Sequence, residues 1–103
     1  SAAEYLEDYR KEVALQVEES RLRREEAAKR VEVARHSAAD AEEAVRLVSR
    51  RFENSIATFA DLLDAQTALN GARARVVENE SDYALASASV YFAAGTFLKE
   101  VMK

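Results

Sequence analysis

Hydrophobic positions in this chain recur every seven residues, in two long runs separated by one short interval. From about Ala3 to about Glu53, one column holds Leu6, Val13, Ser20, Ala27, Ala34, Ala41 and Val48. A second, four residues away, holds Val17, Arg24, Val31, Ala38, Val45 and Phe52. Columns with this period and offset form one narrow stripe on a helix, the pattern of a coiled-coil seam. The many alanines let a partner helix approach closely. Ser20 and Arg24 interrupt the stripe in its first half, which predicts looser or wetter packing there.

The second run, from about Thr58 to about Met102, carries more apolar surface. Leu62, Leu69, Val76, Tyr83, Val90 and Phe97 make an unbroken heptad column, bordered by the small residues Ala65, Ala72, Ala86 and Ala93. A further column, Leu63, Val77, Ala84, Tyr91 and Leu98, lies about 100° further round the helix. Gln66, Arg73, Glu80 and Ser87 separate the two. The first half of the chain can bury one seam. The other needs another neighbour, so this helix reads as a stave with a partner on each side.

The interval Phe52-Glu53-Asn54-Ser55-Ile56-Ala57-Thr58 is where the chain reverses, with the turn at about 54–57. Asn54 tolerates the left-handed conformation that ends many helices, and Thr58 followed by Asp61 has the spacing of a capping box. The expected fold is all-α, a long antiparallel two-helix coiled-coil hairpin. Two helices of about 45 to 50 residues would make it roughly 70 Å long. Two helices enclose little interior, so association into a helical bundle is expected.

Composition narrows the alternatives. Among 103 residues there is no proline and only two glycines, too few for the turns that a sheet needs. The absence of cysteine removes disulfides, thiolate metal clusters and cysteine nucleophiles. A formal charge of −4 offers no general attraction to phosphate, so no nucleic-acid partner is expected. No run approaches the roughly 18 to 20 apolar residues of a membrane-spanning helix, and an export signal is expected outside this stretch.

Charge is unevenly spread. Only six of the 19 acidic residues and four of the 15 basic ones lie after position 54, so the first helix is the more solvated. Glu26 with Arg30 and Glu42 with Arg46 have the favourable order for pairs four apart. The basic group Arg21, Arg23 and Arg24 is matched by Glu18, Glu19, Glu25 and Glu26 and reads as surface.

Candidate chemistry is sparse. His36 is the only histidine, flanked at four-residue spacing by Glu32 and Asp40, and the bland reading is a solvated side chain on a charged face. Residues 33–36 read Val-Ala-Arg-His, without the Glu-x-x-His of di-iron bundles. Gly71 and Gly95 stand alone in helical context, with no phosphate-binding loop. No catalytic group, metal or cofactor is indicated, and an enzyme is not expected. Asp61 and Asp64 are the carboxylates to weigh. As first-turn residues they suit ordinary capping. Several copies of the hairpin standing in a ring would instead bring them into a ring of negative charge, a feature that selects cations or holds a gate.

The run Arg51 to Gln66, with Leu62-Leu63-Asp64-Ala65-Gln66 at its end, is followed by Leu69, Ala72-Arg73, Asp82-Tyr83, Ala86 and Ala94-Gly95. It resembles the second periplasmic hairpin of the TolC-like outer membrane efflux protein family. The upstream segments Ala27 to Val31 and Ala41 to Leu47 are similar to that family's incoming helix. Two positions depart from the pattern: Ser55 stands where the family usually has glycine, and Phe52 where tyrosine is common. Asp64 matches a recurrent family aspartate, and Asp61 falls where some members carry an acid.

The resemblance implies a homotrimer whose protomers each contribute two hairpins to a twelve-helix periplasmic barrel. An outer-membrane β-barrel, formed by segments outside this chain, would hold it in the cell envelope of a Gram-negative cell. A periplasmic adaptor and an inner membrane transporter would be the partners. It further implies an acidic channel tip at Asp64 and Asp61, and a tip turn in contact with the adaptor at Phe52, Asn54, Ser55 and Thr58. The column from Leu62 to Phe97 would serve helix packing. The hairpin of the adaptor itself and a generic structural coiled coil are the alternatives. An adaptor hairpin normally carries an Arg-Leu-x-x-Leu type signature at its tip, and none stands beside Asn54. Outside the barrel, the hairpin is expected to self-associate.

Overall fold

The computed structural model describes residues 1–102. They form an antiparallel hairpin of two helices, α1 (Ala2–Glu53) and α2 (Phe59–Val101), with no strand among the described residues. Both sequences are rich in strong helix formers and free of proline. Their ends carry the charges that suit the helix dipole: Glu4 and Asp61 in the first turns, Arg50 with Arg51 and Lys99 in the last.

The hairpin contains two compact units. Lys29–Glu80 includes the reversal. Here Val31, Ala34 and Ala38 of α1 and Leu69 and Ala72 of α2 are buried, so both helices supply core residues. Four of these five belong to alanine or valine positions, which allow the backbones to come close; Leu69 fills the remaining depth. Two ion pairs join the helices beside this core, Arg35 to Glu80 at 3.0 Å and Arg73 to Glu42 at 3.3 Å. Both are exposed and contribute little to stability.

The other unit pairs Ser1–Ala28 with the chain from Ser81 onward. Val13, Ser20 and Ala27 of α1 are buried, whereas Tyr83, Ala86, Val90, Ala93 and Phe97 of α2 are half-buried. Arg24 occupies its seam position half-buried, its guanidinium 5.9 Å from the centre of the Tyr83 ring. A long cation in place of an apolar side chain keeps this seam less closed than the one around Leu69.

The surface pairs differ from their expected partners. Glu42 reaches across to Arg73, and Arg46 pairs with Glu43 three residues before it. Spacing along one helix says which residues are near, but the second helix offered Glu42 a cation as well.

Candidate functional site

The reversal is built from two interlocking caps. The helical hydrogen-bond ladder runs one residue past the end of α1, where Asn54 N–H donates to the Arg50 carbonyl at 3.1 Å. The next residue, Ser55, has φ 60°, in the left-handed region. Its N–H donates back to Phe52 O at 3.0 Å, while Ile56 N–H donates to Arg51 O at 2.7 Å. These two bonds are the six-to-one and five-to-two pair of a Schellman cap. The left-handed residue is therefore Ser55 and not Asn54. The bond from Ile56 to Arg51 requires the twist immediately before its donor, and Asn54 still belongs to the helical ladder.

Helix α2 starts with a reciprocal cap. Thr58 Oγ1 accepts from Asp61 N–H at 3.1 Å, and Thr58 N–H donates to Asp61 Oδ2 at 2.9 Å. Two of the four orphan donors at this helix start are thereby satisfied. The backbone N–H of Thr58, and next its hydroxyl, hold the Asp61 carboxyl below the ordinary aspartate value. Aspartate, one methylene shorter than the glutamate usual in this motif, closes the box here.

Across the reversal Phe52 and Phe59 form a tilted aromatic pair, with ring centres 6.2 Å apart. Both rings remain substantially exposed, as does Ile56 between them. Phe59 and Ile56 did not stand out in the sequence, because no heptad column connects residues on opposite sides of a turn. The only hint was an aromatic residue just after the reversal. Asp64 is exposed one turn further along α2, outside the cap. The structure thus brings Phe52, Asn54, Ser55, Thr58 and Asp61 into one connected turn, with Asp64 three residues beyond.

The packing column behaves differently from its neighbour on α2. Leu69 is buried, and Leu62, Val76, Tyr83, Val90 and Phe97 are half-buried. The second column is open: Leu63 is 51%, Val77 64%, Tyr91 74% and Leu98 56% exposed. One apolar face of α2 is covered by α1, and a second is not.

The sequence profile of the family described as "Outer membrane efflux protein" matches residues 1–96. The chain belongs to this family. Among the described residues no helix is long and apolar enough to cross a membrane. No group of three or more His, Cys, Asp or Glu side chains among them could hold a metal ion. Comparison with curated proteins gives no significant match, and neither does comparison with solved structures. Ser55 is the one residue of the turn with positive φ. Glycine would adopt that conformation without a Cβ penalty.

Proposed function

We propose that this chain is the second periplasmic hairpin of an outer membrane efflux channel, and that α1 and α2 are two staves of its helical barrel. In this reading the chain is part of a longer protein that forms a homotrimer. Segments outside the hairpin make the membrane-embedded β-barrel. A periplasmic adaptor and an inner membrane transporter complete the conduit. The reversal is its periplasmic tip, with Phe52, Asn54, Ser55 and Thr58 shaping the turn that meets the adaptor. Asp64, and after it Asp61, supply the acidic constriction. The hairpin performs no catalysis and holds no cofactor; its work is to form a wall.

The observation that carries this reading is the exposed second seam of α2. A helix with one apolar column covered by α1 and another left open suits a wall in which every stave has two neighbours. A lone hairpin, or an adaptor hairpin standing by itself, has no use for Leu63, Val77, Tyr91 and Leu98 on its surface.

The test uses the full-length protein. Leu63→Glu combined with Val77→Glu puts charge into the open seam while leaving the buried seam intact. Loss of the trimer in sedimentation, with increased sensitivity of cells to exported compounds, is the expected result. Wild-type trimer and wild-type export in the double variant would overturn the stave assignment.

A further inference from the structure

The seam of the unit formed by Ser1–Ala28 and the chain from Ser81 onward is interrupted by four polar side chains at one level. Ser20 is buried, and its hydroxyl donates to Gln16 O at 2.9 Å. Arg23 Nη2 donates to the same hydroxyl at 3.4 Å. Arg24 lies over the ring of Tyr83. On α2, one turn beyond Tyr83, the Ser87 hydroxyl oxygen is shut off from solvent and finds no hydrogen-bond partner of ordinary geometry among the described residues. A cavity of about 240 Å³ opens beside this layer, with Arg24, Glu25 and Tyr83 in its lining.

The two serines weaken helix pairing at this level, whereas Arg24 and Tyr83 bridge the helices with a polar contact in place of apolar packing. Ser20 satisfies its hydroxyl on its own helix, so it contributes no bond across the seam, and a serine that bonds back to the preceding turn slightly loosens its helix. The Ser87 hydroxyl is shut off from solvent with the Tyr83 side chain beside it, and water reaching this level adds partners for it, which favours the open state over the closed one. The guanidinium of Arg24 holds the Tyr83 hydroxyl below its ordinary value, and Ser87 beside it contributes less. That polar pair also stays in contact with solvent. On either side of the layer the seam becomes apolar again, with Val13 and Val17 before it on α1, Ala27 after it, and Val90 and Phe97 on α2.

We propose that the Ser20, Arg24, Tyr83 and Ser87 layer is a built-in opening point, where α1 and α2 part locally while the apolar levels on both sides stay paired. The device belongs to the hairpin itself and does not depend on the channel reading. It supplies a defined level at which a long two-helix element can admit water and flex without melting from its ends.

Hydrogen exchange of the full chain, followed by mass spectrometry on overlapping peptides, tests this. Simple fraying makes protection fall steadily towards the chain termini. An opening point instead gives a local minimum at about residues 18–25 and 83–88, with at least roughly tenfold faster exchange than the apolar level around Val13 and Val90. Ser20→Ala with Ser87→Ala removes both hydroxyls with little change of volume. This variant is expected to raise protection at that level about tenfold and leave the Leu69 region unchanged. A protection profile that decreases smoothly towards the termini in the wild-type chain would overturn the proposal. So would unchanged protection in a double variant of wild-type helicity.

Discussion

At the scale of single residues, the reversal depends on one strained position and one carboxylate. Ser55 holds a left-handed conformation that costs an L-residue roughly 1 to 2 kcal/mol. Ser55→Gly is therefore expected to stabilise the hairpin by about 1 kcal/mol, read as a higher denaturation midpoint at unchanged slope. Thr58→Ala removes the hydroxyl that caps α2 and is expected to cost about 1 kcal/mol in the same measurement. Asp61 sets a pH dependence. Its folded carboxyl titrates below the unfolded one, because Thr58 bonds to the charged form. The unfolded chain then binds more protons in acid, so stability rises with pH through this range. The contribution is complete above the ordinary value of 3.8 and is lost as pH falls through the lower folded value. Asp61→Asn should flatten that part of the curve of stability against pH.

At the scale of helices, the two apolar columns of α2 should respond in opposite ways. Ala72 sits in the buried seam, where a larger side chain must push the helices apart. Ala72→Leu is expected to destabilise the hairpin by about 1 to 3 kcal/mol in chemical denaturation. Val77 lies in the open seam, so Val77→Glu should leave the unfolding of a single hairpin nearly unchanged. Its effect belongs to association. The wild-type hairpin by itself is expected to form dimers in sedimentation at micromolar concentration, burying Leu63, Val77, Tyr91 and Leu98, and Val77→Glu should return it to monomer. A stable wild-type monomer at high micromolar concentration would count against the need for two neighbours. The columns themselves were legible in the sequence because burial on a helix follows angular position, and a period of seven fixes that position. The partners of Glu42 and Arg46 were not, because a surface cation on the opposite helix competes with one on the same helix at nearly equal energy.

At the scale of the whole molecule, family membership gives the hairpin its setting. In the assembled channel, Asp64→Asn with Asp61→Asn is expected to lower cation preference in conductance measurements, with Asp64 contributing more because Asp61 is engaged by Thr58. Unchanged preference would remove the acidic constriction from the proposal. In the proposed assembly the exposed apolar column of α2 would be covered. Dispersed apolar residues are ordinary on a protein surface, but a heptad column of them on one helix is a contact waiting for a second helix.

The sequence by itself determined the all-α class, the antiparallel hairpin, the helix faces and the spacing of the Thr58 and Asp61 cap. Each depends on local propensity or on regular period, and both are written into consecutive residues. Only the tertiary structure decided that Ser55 takes the left-handed twist, that Phe52 meets Phe59 across the turn, and that the Ser87 hydroxyl oxygen is shut off from solvent. Those outcomes depend on where the second helix lies once the chain has reversed. The same sequence distance can then mean contact or separation, and no periodicity records which.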